Sequence, residues 1–286
     1  MKVKITLRQI LIHLVKIMGT ALVFSFGLVA SRIVLAALGV SAPRLPQQAD
    51  ESTAVWYLLS GSLLLSAGFY PLIRLTAAAM WERFAYLFIF MFASFAVGVT
   101  LESSIYSDVA AYHLMLVVLF FPVLIYTLTT VLLTRNDQSQ QFRPHGIADY
   151  FRSRPAGFWL WRMLLAVLAF PVVYFLFGIA VSPLVMPYYE TTVEGLRLPE
   201  PATIVGVQFF RSVVFLLVTL PLLIYWAGSK RQLIAALGSA HFVMVFGYDI
   251  VLAIQMPQEL LLIHGVEILL DSFVYAWIFV KILWNR

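Results

Sequence analysis

The sequence has no cysteine among its 286 residues, which excludes disulfide frameworks, thiolate-bound zinc, iron–sulfur clusters and a cysteine nucleophile. Charge is nearly as scarce. Asp, Glu, Lys and Arg make up 12% of the chain, against about 25% in a soluble domain, so an ordinary water-soluble globule is excluded. A disordered or nucleic-acid-coating chain is excluded too, because such chains are rich in charge and poor in aromatics, whereas this one carries 23 Phe, 13 Tyr and 7 Trp. What it has is apolar surface: 62% of residues are hydrophobic and the mean hydropathy is +0.92. Its solvent is lipid.

A helix crosses about 30 Å of hydrocarbon with about 20 apolar residues. Stretches of that length fall near 17–40, 54–74, 84–102, 112–133, 158–182, 204–226, 232–254 and 260–282, predicting eight spans. With the N-terminus in the cytoplasm, the inside segments hold Lys2, Lys4, Arg8, Lys16, Arg74, Arg83, Arg135, Arg143, Arg152, Arg154, Arg162, Lys230, Arg231, Lys281 and Arg286, which is 15 of the 19 basic residues. The outside segments hold Arg44 and Arg197. This alternation follows the positive-inside rule, and it places both termini in the cytoplasm of a cell in whose plasma (inner) membrane the protein sits. The basic pI of 9.5 is thereby a consequence of topology, and nucleic acid drops out as a partner. The first span has no small-residue cleavage motif after a short core and reads as retained.

Shifting the chain by about 151 residues brings its halves into register. Phe24–Ser31 falls on Phe175–Ser182, Pro71-Leu72 on Pro221-Leu222, Ser62 on Ser212, Phe95 on Phe246 and His113 on His264. The matches are collinear and include Gly, Pro, Ser and His, which predicts an all-α membrane protein of two parallel four-helix repeats, 1–134 and 158–286. A repeat of four spans is even, so the two copies share one orientation, related by an axis along the membrane normal. The intervening segment 135–157 is polar and basic and reads as a cytoplasmic connector. The external segment 183–203, with Tyr188, Tyr189 and four prolines, reads as a long loop suited to a lid or a partner surface.

Ionisable residues inside spans carry the functional information, because each costs at least about 2.5–3.5 kcal/mol in hydrocarbon and is tolerated where it meets a cavity or a partner. Five stand out: Arg32, Arg211, Asp249, Glu267 and Asp271. Counted at about 1.5 Å per residue, all lie in the outer half of the membrane, with Asp271 near its midplane, and Glu102 closes the third span on the same side. In the last span His264, Glu267, Asp271 and Tyr275 recur at steps of three, four and four and share one helix face. The matching helix of the first half has Leu116, Phe120 and Leu124 there. The repeat is symmetric in scaffold and asymmetric in charge.

Three functions fit such a cluster. The arginines and acids can pair to fix helix packing in a membrane subunit. They can form an outward-facing ligand pocket, lined by Arg32, Arg211, Asp249, His264, Glu267, Asp271 and Tyr275, that binds or transports a small polar or amphiphilic molecule. Or His264 with a carboxyl can act in an intramembrane enzyme on a lipid-linked substrate. His-x-x-Glu-x-x-x-Asp is no strong zinc signature, and no Gly-x-Ser-x-Gly occurs. The matched His113 and His264 could face each other across the pseudo-axis and ligate haem. The four-plus-four arrangement resembles haem A synthases in topology alone, and that resemblance implies histidines on the second span of each half, where 54–74 and 204–226 have none. Beyond the bilayer and such a ligand, the residues name no partner.

Overall fold

A computed structural model of the chain describes residues 6–40, 51–106, 114–135, 146–191, 198–252 and 257–285, the side chains of 51, 191 and 248–252 excepted. Every regular element among them is helical, as hydrocarbon requires, since backbone groups there must hydrogen-bond within their own segment. The first helix, α1 (Leu7–Ala37), starts at a capping box in which Thr6 Oγ1 accepts from Gln9 N at 3.3 Å and Gln9 Oε1 from Thr6 N at 2.9 Å. It therefore begins ten residues before the apolar stretch that hydropathy marks, because its entry is set by polar capping. Gly39, at φ 73°, ends it and lets Val40 N reach Leu35 O at 2.9 Å.

The chain continues through α2 (Glu51–Leu75), α3 (Met80–Met91), a π-helical segment (Phe92–Val97), α4 (Gly98–Tyr106), α5 (Leu114–Leu133), α6 (Ile147–Arg152), α7 (Ala156–Thr191), α8 (Pro201–Ile224), α9 (Lys230–Leu252) and α10 (Gln258–Leu283). Two segments read as loops differ from expectation. The stretch 183–191 is the end of α7, helical through Pro183 and Pro187, and Tyr188 Oη donates to Glu259 of α10 at 2.8 Å. The connector contains α6, which is docked: Tyr150 Oη donates to Leu283 O, and Trp159 Nε1 donates to Phe151 O at 2.8 Å. Neither contact is visible in a hydropathy profile, because both depend on one polar atom of an aromatic side chain finding a distant partner.

The long helices pack in a closed order, α5–α1–α2–α9–α10–α7–α8–α3 and back to α5. The turns α2–α3 and α8–α9 hydrogen-bond to each other as an isolated antiparallel bridge. Ala77 N donates to Tyr225 O at 2.7 Å and Ala227 N to Leu75 O at 2.9 Å. Both turns start the next helix alike, with Glu82 Oε2 accepting from Ala79 N at 3.3 Å and Gln232 Oε1 from Ser229 N at 2.8 Å. The α2–α9 seam is close because glycines line it. A Cβ added to Gly68 would lie 2.9 Å from Val243 Cγ2 and 3.1 Å from Ser239 O, and one on Gly247 would lie 3.6 Å from Gly61 O.

The periphery is apolar. On α7 the exposed side chains Leu160, Leu164, Leu168, Val172, Leu176 and Ile179 form one stripe, and in water such a stripe would be an aggregation surface. Among the described residues, six helices are long and apolar enough to cross a membrane: Leu7–Ala37, Ser52–Leu75, Met80–Tyr106, Leu114–Leu133, Ala156–Glu190 and Pro201–Ile224. The chain is an all-α, multi-pass membrane protein. The two long helices outside that set, α9 and α10, are the ones that hold the basic Lys230-Arg231 start and the His264, Glu267 and Asp271 face.

Candidate functional site

The site is built where α4, α7, α8 and α10 meet, at the end of the bundle opposite the bridged turns. The π-helical segment prepares it. Inserting an extra residue into a helix turns everything beyond it by about 100°, so α4 presents a different face from α3, and Glu102 on α4 meets Arg211 on α8 in an ion pair. Arg211 is 4% exposed and Glu102 29%. A second arginine Nη1 contact runs to Gln208 Oε1 at 3.1 Å. The guanidinium also lies 5.4 Å from the ring centroids of both Phe170 and Phe215, close enough for the ring faces to offset part of its desolvation.

The face on α10 is turned inward, as its spacing predicts. Leu262, Val266, Leu270 and Trp277 are exposed on the opposite side of that helix, while Glu267 and Tyr275 are buried. His264 Nδ1 and Glu267 Oε2 are 2.9 Å apart. Glu267 reaches α7 where a glycine makes room, since a Cβ on Gly178 would lie 3.7 Å from Glu267 Oε1. Asp271 accepts from Ser272 Oγ at 3.2 Å and has no ion-pair partner among the described residues; the charges acting on it are those of Glu267, Arg211 and Glu102. Tyr106 and Tyr174 share a hydroxyl–hydroxyl bond of 2.8 Å beside the cluster, within electrostatic reach of Glu102 and Arg211.

Beneath the charges lies an aromatic box. His241 on α9 packs against Phe90, Phe215 and Tyr275 at centroid distances of 5.4, 5.1 and 5.6 Å. The Tyr275 hydroxyl, the Gln208 Nε2 and the Arg211 Nε are buried with no hydrogen-bond partner among the described residues. Beside Arg211 lies a narrow cleft with no room for a water molecule, between Ala93, Val97, Gly98 and Leu101 of the π-helical segment and α4 and Phe210, Arg211, Val214 and Phe215 of α8. Among the described residues no three His, Asp or Glu side chains converge as a metal-binding group.

Of the seven residues that sequence assigns to the pocket, the fold brings Arg211, His264, Glu267, Asp271 and Tyr275 together. Arg32 is held apart: it sits on α1, which packs mainly on α2 and α5, and it has no ion-pair partner among the described residues. The side chain of Asp249 and all of His113 lie outside the described residues. The ion-pair partner of Arg211 is Glu102, which sequence placed at the end of the third span and left out of the pocket; it lies on α4, beyond the π-helical segment. Gln208, Phe170, Phe215 and His241 are site residues that sequence reading passed over. Gln208 had a signal, an amide three residues before an intramembrane arginine and hence on its face. The aromatics had none.

Comparison with known proteins returns no matching family, no similar curated sequence and no similar solved structure.

Proposed function

We propose that this protein binds or transports a small polar or amphiphilic molecule at the polar cluster between its two halves. The observation that carries the reading is the set of buried polar atoms of Arg211, Gln208 and Tyr275 that have no hydrogen-bond partner among the described residues, gathered beside two carboxylates. A cluster shaped for packing alone leaves few such atoms, since each costs about 1–3 kcal/mol. A ligand that supplied the missing partners would recover that cost.

The reading includes an architecture of eight spans, α9 and α10 among them, in two parallel four-helix repeats whose axis lies along the membrane normal. Several observations support it. The bridged turns exchange reciprocal hydrogen bonds, Leu75 with Ala227 and Ala77 with Tyr225, about Thr76 and Trp226, which are 150 residues apart. The main helix contacts recur in pairs: within the halves α1 on α2 and α7 on α8, α1 on α5 and α7 on α10, α3 on α5 and α9 on α10, and between them α2 on α9 and α8 on α3. Phe90 and His241, equivalent at a shift of 151, face each other. The distribution of basic residues supports a cytoplasmic position for the bridged turns and an outward one for the polar cluster. Arg211–Glu102 then joins the second half to the first, which is the position of a gate between rocking halves.

Native mass spectrometry of the purified protein tests the function. The wild type is expected to carry a non-covalent small-molecule adduct that Glu267→Gln and Asp271→Asn lose while staying folded. A folded wild type with no adduct, or one whose adduct survives both changes, refutes the reading. The closed Arg211–Glu102 pair favours a second reading, a membrane subunit whose charges fix assembly; there the same changes lower the melting temperature and alter no adduct.

A further inference from the structure

The end of the bundle that carries the bridged turns holds a second cluster, and its charges are all of one sign. Arg162 on α7 donates through Nη1 to Ile282 O in the last turn of α10, which sets its guanidinium beside Lys281 of the same turn. Lys230 opens α9, which packs along α10, and the charges acting on it are those of Lys281 and Arg162. Arg154, in the turn before α7, joins them across one ring: the guanidinium carbons of Arg154 and Arg162 lie 5.7 and 4.2 Å from the Phe158 centroid. None of the four cations has an ion-pair partner among the described residues. The first half shows the same place serving structure alone. There Arg83 Nη2 donates to Val131 O at 2.7 Å, the carbonyl 151 residues before Ile282 O, and Arg83 is 3% exposed, its charge spent in ending α5. Glu82 balances Arg83 in the first turn of α3, whereas the first turn of α9 has Lys230 and Arg231, with Gln232 at the position of Glu82. The second half has lost the acid and gained cations that repel one another, so their charge is directed at something outside the fold.

We propose that Arg154, Arg162, Lys230 and Lys281 form a binding site for the phosphate of an anionic membrane lipid, held at the membrane–water interface between α7, α9 and α10. The surroundings favour a lipid over a soluble anion. Trp161, beside Arg162, and Trp277, one turn before Lys281, are 60% and 51% exposed, and exposed tryptophans mark the level at which headgroups lie. From that level Leu164 and Leu168 carry the exposed apolar stripe of α7 into the membrane, so an acyl chain has a surface to lie on while its phosphate meets the cations. The site needs no cavity: Arg154 and Lys281 are exposed and Arg162 and Lys230 half-buried, open to the headgroup layer. Arg162, anchored at Ile282 O, presents its remaining N–H groups in a fixed geometry, and the lysines supply adjustable point charges. A phosphate among four like charges removes their mutual repulsion, as basic pockets between membrane helices do with anionic headgroups. The polar cluster lies at the opposite end of the bundle, and this site shares with the reading of that cluster only the placing of α9 and α10 in the membrane.

Native mass spectrometry of the full-length protein, delipidated in detergent and titrated with dioleoyl phosphatidylglycerol or dioleoyl phosphatidylcholine, tests the site. The two lipids share their phosphate and chains, and only the first carries net negative charge. The wild type is expected to retain one phosphatidylglycerol at ratios where phosphatidylcholine is lost, and Lys230→Gln with Lys281→Gln to weaken that binding about tenfold. Lys230→Arg with Lys281→Arg keeps the charge and should bind as the wild type does. Arg8→Gln, which removes a cation from α1, a helix that packs on α5 and α2, should leave binding unchanged. Arg154→Gln, at an exposed position outside any helix, should weaken it about threefold and keeps the test decisive should the lysine variant misfold. Equal retention of the two lipids, phosphatidylglycerol binding that survives both the lysine changes and Arg154→Gln, or an equal loss in Arg8→Gln overturns the inference. Inorganic phosphate in large excess, at matched ionic strength, is the probe for a soluble ligand. It should neither displace the lipid nor raise the melting temperature of the lipid-free protein; if it does either, the site belongs to a soluble anion and the lipid proposal is wrong. The small-molecule adduct is read at Glu267 and Asp271, so failure here leaves that reading standing, and its failure leaves this one.

Discussion

The Arg211–Glu102 pair yields an asymmetric prediction, because its two members are buried to different degrees. Glu102→Gln strands a guanidinium that is 4% exposed. Removing one partner of a fully buried pair costs about 3–5 kcal/mol, but here Gln208 Oε1 at 3.1 Å and the Phe170 and Phe215 faces remain, so the expected loss is about 2–3 kcal/mol. Arg211→Met instead leaves a carboxylate that is 29% exposed and free to reach the interface, and methionine fills the irregular space beside the cleft. That change is expected to cost about 1 kcal/mol or less. The double variant should then resemble Arg211→Met alone, giving a coupling of about 2–3 kcal/mol in a double-mutant cycle. Reversible unfolding in mixed micelles, followed by tryptophan fluorescence, measures all four proteins. Arg211→Met proving more destabilising than Glu102→Gln would refute the reasoning, since it would mean that the arginine is the better solvated member and that the seam is not closed around it.

Gly68→Ala should cost about 1–3 kcal/mol through overpacking against Val243 and Ser239 O, and Val243→Ala in the same chain should recover most of it; if Gly68→Ala is as stable as the parent, the α2–α9 seam is not close-packed. Asp271→Asn should change stability by less than about 1 kcal/mol, because Asp271 has only the Ser272 hydrogen bond to lose, while the bound small molecule disappears. A large drop in melting temperature would identify Asp271 as a structural partner. Cysteines placed at Gln47 and Glu194 should react with an impermeant thiol reagent in intact cells and one at Ser139 should not, against a background of no native cysteine; labelling at Ser139 would invert the topology.

Some of this protein is decided by residue order alone. Apolar runs of about 20 residues determine that it is a helical membrane protein, because hydrocarbon admits no other use for them, and the three- and four-residue steps from His264 to Tyr275 determine that one face of α10 points inward. Both are properties of a single helix. What depends on two helices was not legible. No periodicity announces that the span Met80–Tyr106 takes a π turn at Phe92–Val97, and it is this rotation that turns Glu102 toward Arg211. Arg32 and Arg211 look alike in sequence, each a lone arginine in an apolar span, yet α1 packs on α2 and α5 while α8 packs on α3 and α7, so only Arg211 joins the acids. The helical continuation of α7 through Pro183 and Pro187 was hidden for the converse reason: proline signals a break locally, and contacts such as Tyr188 with Glu259 outweigh it only once α10 lies alongside. Hydropathy sets which helices enter the membrane; the order in which they pack, and the one turn that rotates α4, decide which charges meet.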